Sequence, residues 1–117
     1  MYTIYGIPNC DTVKKTITWL KQHKIAYEFY DYGKNGISPS KLKQWSEQIG
    51  WETLLNKKGT TWRKLTEKTQ AAITHEKAAI KLLAENTSAI KRPLIEMGDK
   101  IITVGFDEDV YRKIFKK

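Results

Sequence analysis

Cysteine is nearly absent from this chain: among 117 residues there is one, Cys10, accompanied by only two histidines, His23 and His75. A lone cysteine closes no internal disulfide, so oxidation does not staple the fold. The same scarcity removes an internal zinc cluster, which needs several thiolates and imidazoles close together. No uninterrupted apolar run approaches the roughly 18 residues of a membrane helix. The opening Met1-Tyr2-Thr3-Ile4-Tyr5-Gly6 has no basic lead of the kind a secretory signal carries. The expectation is a soluble cytoplasmic protein without membrane association, metal or bound cofactor. Repeats, low-complexity tracts and linkers are missing as well, which leaves one domain spanning residues 1–117.

Hydrophobic residues make up 40% of the chain, enough to bury a core. The formal net charge is +8. Clustered cations would point to phosphate contacts, but the lysines here are dispersed. Lys14, Lys15, Lys21 and Lys24 decorate one predicted helix, Lys41 and Lys43 another, and Lys116 and Lys117 end the chain. Solvated faces are the simplest reading, and nucleic acid is not the expected partner. A basic pocket for an anionic small molecule is the alternative.

Tyr2 to Gly6 alternates apolar and polar residues and reads as a strand. Asp11 to His23 places Val13, Ile17 and Leu20 at helical spacing, and the aromatic-rich Ile25 to Asp31 reads as a second strand. Strand, helix and strand within about thirty residues form a βαβ unit with parallel strands. The middle is helical: Ser38-Pro39 is a cap and a first-turn proline, Leu42, Trp45 and Ile49 form a stripe, and Gly50 ends the helix. A short turn around Glu52–Leu55 leads into Gly59–Arg63, read as loop, and Thr74 to Glu85 is a further helix facing inward through Ile80, Leu83 and Ala84. Leu94–Met97 and Lys100–Thr103 are strands joined by Gly98-Asp99, a tight hairpin. Asp107-Glu108-Asp109 opens a last helix, where the dipole favours negative charge, with Val110, Ile114 and Phe115 inward. The order βαβ, helical insertion at about residues 38–88, then ββα implies an α/β protein of the thioredoxin-like fold with a four-stranded mixed sheet.

Cys10 falls between the first strand and the first helix, at the carboxyl end of a strand where α/β sheets place their sites. Backbone N–H groups and the positive end of the helix dipole there stabilise a thiolate. Lys14 lies one turn on and adds to this, whereas Asp11 opposes it. A buried, inert cysteine is the alternative. Because Val13 stands where a Cys-x-x-Cys motif would have its second thiol, any adduct on Cys10 needs an outside thiol to resolve it. Arg92-Pro93 precedes the third strand, where this fold places a cis-proline facing the nucleophile. An ordinary trans proline beside a surface arginine is the other reading. A guanidinium held near the sulfur would stabilise the thiolate and bind a carboxylate or oxyanion. His23 suits the end of the first helix, and His75 caps or is exposed. Of the four tryptophans only Trp62, beside Arg63, is a candidate for lining a site.

Four stretches, Ile4–Thr12, Gly59–Leu65, Lys91-Arg92-Pro93 and Val104-Gly105-Phe106, together resemble the arsenate reductase-related (ArsC/Spx) family, nearest its YffB-like branch, over essentially the whole chain. The resemblance implies a cysteine nucleophile at Cys10, an arginine before a cis-proline at Arg92 and Pro93, and glutathione as co-substrate. Asn9, Lys14, Arg63, Lys91 and Pro93 are then the expected glutathione- and substrate-binding residues. Arsenate reductases of this type place further arginines around the oxyanion; this chain has Asn56 and Phe106 instead, with Arg63 as a possible substitute. Those departures argue against arsenate as the physiological substrate. The expected function is a glutathione-dependent thiol reductase acting on an oxidised thiol or an oxyanion. The alternative is a redox-linked regulator similar to Spx that binds RNA polymerase, although such regulators commonly carry a Cys-x-x-Cys switch.

Overall fold

A computed structural model describes residues 1–117. In chain order the elements are β1 (Tyr2–Gly6), α1 (Asp11–Gln22), β2 (Tyr27–Asp31), α2 (Tyr32–Asn35), α3 (Pro39–Ile49), α4 (Trp51–Leu54), α5 (Thr60–Arg63), α6 (Glu67–Ala72) and α7 (Glu76–Glu85). A 3₁₀ turn at Thr87–Ala89, β3 (Leu94–Met97), β4 (Lys100–Val104) and α8 (Glu108–Phe115) complete the chain. They group into two compact units, one of residues 1–34 with 92–117 and one of residues 35–91. The second corresponds closely to the insertion read at about 38–88. No helix is long and apolar enough to cross a membrane.

The first unit holds the sheet, in the order β2-β1-β3-β4. β1 and β2 are parallel, while β1–β3 and β3–β4 are antiparallel. This is the mixed sheet of the thioredoxin-like fold. Side chains alternate across a strand, so Ile4 and its cross-strand neighbour Ile95 share a face. Both are fully buried and pack with Trp19 and Leu20 of α1 and Tyr111 and Phe115 of α8. The Trp19, Tyr111 and Phe115 rings meet at centroid distances of 5.3–5.7 Å. Burying each such side chain contributes roughly 1.5–3 kcal/mol, so this cluster is what holds α1 and α8 on the sheet.

The second unit is helical. Ser38 caps α3 by accepting a hydrogen bond from the Lys41 N–H, with Pro39 at the first helical position. Leu42 and Trp45 of α3 and Leu54 of α4 are fully buried in this unit, as are Ala79 and Leu83 of α7. The Ser46 hydroxyl donates to Glu76 at 2.8 Å, tying α3 to the first turn of α7. The Asn56 N–H donates to Ala89 O and the Lys91 N–H to Leu54 O, which straps the end of the unit to α4.

Several local expectations change. Residues 60–63, read as loop, form the single turn α5. α2 and α6 had no counterpart in the reading. α6 buries nothing and so leaves no hydrophobic period. β2 starts at Tyr27 rather than Ile25, because the Ile25 N–H is used on Leu20 O in closing α1. α7 starts at Glu76 rather than Thr74, since His75 is extended as its N-cap. The inward residues of α8 are Tyr111 and Phe115; Val110, expected inside, is 38% exposed.

Candidate active site

Cys10 is the N-cap of α1, with extended backbone at φ −145° and ψ 125°. Its carbonyl accepts the first helical hydrogen bond, from the Lys14 N–H at 2.9 Å. The thiol itself makes no cap hydrogen bond, so the N–H groups of Thr12 and Val13 act on the charged form of the sulfur. Partial burial pushes the Cys10 thiol up. That is outweighed by the Val13 N–H, by the Arg92 guanidinium through both hydrogen bonding and charge, and by the Thr12 N–H, which together hold it below the ordinary thiol value. The Cys10 side chain is partly accessible.

Close approach of α1 to β1 explains the residue that replaces a second thiol. Val13 is fully buried, and a Cβ on Gly6 would lie 2.8 Å from Val13 Cγ2. The position three residues after Cys10 therefore packs the helix on the strand.

Arg92 and Pro93 come to the same place from the other half of the unit, and the Arg92–Pro93 peptide is cis. Pro93 is buried and Arg92 half-buried. The guanidinium also reaches the hydroxyl of Tyr32, a fully buried residue at the start of α2. Desolvation raises the Tyr32 pKa to about 12, against the pull of Arg92. Arg92 thus lies between a sulfur and a neutral phenol, and its charge is directed to the sulfur.

A hydrogen-bonded chain supports this arrangement. The Gly105 N–H donates to Pro93 O at 2.8 Å, and Gly105 has φ +85°, a conformation suited to glycine. The Tyr111 hydroxyl donates to Gly105 O at 2.6 Å and lies 3.1 Å from the Thr16 hydroxyl of α1. Burial pushes the Tyr111 phenol up to about 12, although Thr16 opposes the shift, so it stays a neutral donor. Tyr32 and Tyr111 were missed from sequence. An aromatic residue next to a strand end or on a helix face gives no sign that its hydroxyl is spent on a site.

The structure places the other predicted residues variously. Asn9 and Lys14 are exposed beside Cys10 in the first unit. Lys91 and Arg63 belong to the second unit and are exposed. Trp62 is half-buried, with the Lys57 ammonium 5.6 Å from its ring centroid. Asn56, which stands where an oxyanion arginine was sought, accepts a hydrogen bond from the Lys58 N–H at 3.2 Å. His23 stacks on Trp19 with centroids 3.9 Å apart, a packing role. No group of three or more His, Cys, Asp or Glu residues is placed to hold a metal ion.

A cysteine at a helix start whose thiol is held below its ordinary value, faced by an arginine and a cis-proline on a thioredoxin-like sheet, defines a single-thiol protein class. The ArsC family model matches residues 5–114, and the chain belongs to the ArsC family. It is similar to the solved structure of a YffB protein, 46% identical over 97% of this chain and 98% of that one, with a TM-score of 0.89. An arsenate reductase (ArsC) related protein from Brucella melitensis is 41% identical over 99% and 95% of the two chains, with a TM-score of 0.79. The global transcriptional regulator Spx of Streptococcus agalactiae is 27% identical, over 96% of this chain and 81% of the regulator.

Proposed function

We infer that this protein is a glutathione-dependent thiol reductase of the cytoplasm, with Cys10 as nucleophile. The observation that carries this reading is the Arg92 guanidinium at the Cys10 sulfur, which favours the thiolate over the thiol. The thiolate attacks an oxidised sulfur, forming a disulfide with one half of the substrate and expelling the other as a thiolate. Val13 offers no second thiol, so the adduct is released by attack of free glutathione. Arg92 stabilises negative charge on Cys10 both as attacking and as leaving group. Pro93, buried beside the arginine, shapes the backbone surface next to the sulfur, and Lys14 and Asn9 border it.

Arsenate fits less well. Phe106 is apolar where an oxyanion would need a cation, and Asn56 is engaged by its own turn. The test is a coupled assay with a neutral disulfide and reduced glutathione, in wild type and Cys10→Ser, with arsenate as a parallel substrate. Glutathione-dependent turnover that vanishes in Cys10→Ser is expected, with arsenate turnover at least tenfold lower. Absence of disulfide turnover in the wild type would overturn the reading.

A second reading is favoured by the similarity to Spx: a regulator that binds RNA polymerase. Against it stands Val13, buried in packing rather than available as a redox partner. Stable capture of RNA polymerase by the purified protein, together with an inactive thiol, would move this reading to the front.

A further inference from the structure

The core that holds α1 and α8 on the sheet contains two hydroxyls that packing alone does not require. Tyr111 and Thr16 are both fully buried. The Tyr111 ring makes edge contacts with Trp19, Phe106 and Phe115 at centroid distances of 5.2–5.7 Å, which a phenylalanine would keep. Valine has the shape of Thr16. A hydroxyl taken out of water costs free energy unless it is bonded, so each of the two is explained by its partners. The Tyr111 proton is spent on Gly105 O at 2.6 Å. That leaves the phenol oxygen as an acceptor for the Thr16 hydroxyl at 3.1 Å, which also lies 3.0 Å from Thr12 O.

These partners belong to the two segments that meet at the sulfur. Thr12 is in the first turn of α1, and its N–H is one of the groups acting on Cys10. Gly105 belongs to the other segment: its N–H holds Pro93 O, and Pro93 follows Arg92. Tyr111, rooted in α8, is therefore bonded toward both. We propose that Tyr111 is a positioning residue for Cys10: its hydroxyl, with that of Thr16, sets the spacing between the start of α1 and the Arg92-Pro93 segment, and so keeps the guanidinium on the sulfur. A charge-assisted hydrogen bond weakens steeply as it lengthens or bends, so slack between the two segments is felt first at that contact. The groups that touch the reacting sulfur remain Arg92 and the backbone N–H donors, and Tyr111 acts only through them. The inference goes beyond the glutathione-dependent reading, because it concerns the thiolate and not the thiol that later resolves its adduct.

The experiment follows alkylation of Cys10 by iodoacetamide across pH in the full chain, with thermal unfolding of each variant. Tyr111→Phe is expected to slow alkylation at neutral pH about fivefold, the size of one net hydrogen bond, and to move the inflection of the pH–rate curve upward. Thr16→Val reaches the same contact from α1 and should do likewise, whereas Thr16→Ser, which keeps the hydroxyl, should keep the wild-type curve. In an Arg92→Ala background Y111F should add less than about twofold, because the two residues act as one unit. Reduced thermal stability with an unchanged pH–rate curve in both Y111F and T16V would overturn the proposal and leave the hydroxyls a packing role alone. An undiminished effect of Y111F in the R92A background would overturn it too. Shifted curves in a wild-type protein that lacks glutathione turnover would sink the glutathione reading and uphold this one.

Discussion

The two long helices of the sheet unit begin in different ways. α8 starts from Asp107, whose carboxylate accepts from the N–H groups of both Asp109 and Val110 at 3.0 and 3.2 Å. Its first turn is satisfied in the usual manner and carries two further acids, Glu108 and Asp109. α1 starts from Cys10, whose thiol makes no cap hydrogen bond. The N–H groups at that end are left to stabilise a charge that exists only when the sulfur ionises. One terminus has been optimised for stability and the other reserved for chemistry, and both lie in one unit, linked by the Thr16 and Tyr111 hydroxyls.

Exchanging the roles breaks the comparison most sharply. Cys10→Asp should abolish thiol turnover and alkylation altogether while raising stability by about 1 kcal/mol, because a carboxylate caps better than a thiol. Urea denaturation beside a disulfide-reduction assay reads both, and loss of stability would show that the α1 start is not short of a cap. Arg92→Ala comes next. Removing a charge-assisted hydrogen bond worth roughly 1.5–3 kcal/mol should slow Cys10 alkylation at neutral pH by about tenfold to a hundredfold. The thiol pKa, taken from the pH–rate curve, should rise towards about 8.5. An unchanged curve would mean that the backbone N–H groups alone set it.

On the other helix, Asp107→Ala should cost about 1 kcal/mol while leaving the Cys10 alkylation rate within about twofold, so that stability and reactivity part company. A larger fall in reactivity would mean that the Gly105–Tyr111 link transmits the damage to Pro93. The smallest effect is on pH dependence. The folded state lowers the Cys10 pKa, so the stabilisation it supplies is full above the ordinary thiol value and is lost as pH falls through the lowered folded value. Unfolding free energy should therefore rise with pH between those two values in wild type and be flatter in Arg92→Ala. Tyr32 has the opposite sign. Its pKa is raised from 10.0 to about 12, so its contribution is complete below pH 10 and is lost as pH rises through about 12.

Much of this was legible in the chain. The βαβ start is written in an alternating strand, a 3.6-residue period and a second apolar run, and the hairpin in Gly98-Asp99 between two strands. Cys10 could be placed at a helix start because the helical period begins at the next residue. α6 was invisible because it buries none of its residues, although Thr66, which accepts from the Thr69 N–H, was a usable cap signal. Tyr111 was passed over for Val110 because both fit an amphipathic helix; a shift of one residue rotates the buried face by about 100°.

By itself, then, the sequence determined the elements, the place of the thiol and the lack of a second one, since these follow from local periodicity, turn chemistry and simple count. Tertiary structure alone decided that Arg92 meets the sulfur from eighty residues away and that Tyr32 and Tyr111 lend their hydroxyls to the site. Those features depend on strand order. It is the insertion of β1 between β2 and β3 that brings the two ends of the chain together, and a pairing between distant segments leaves no trace in the spacing of either one.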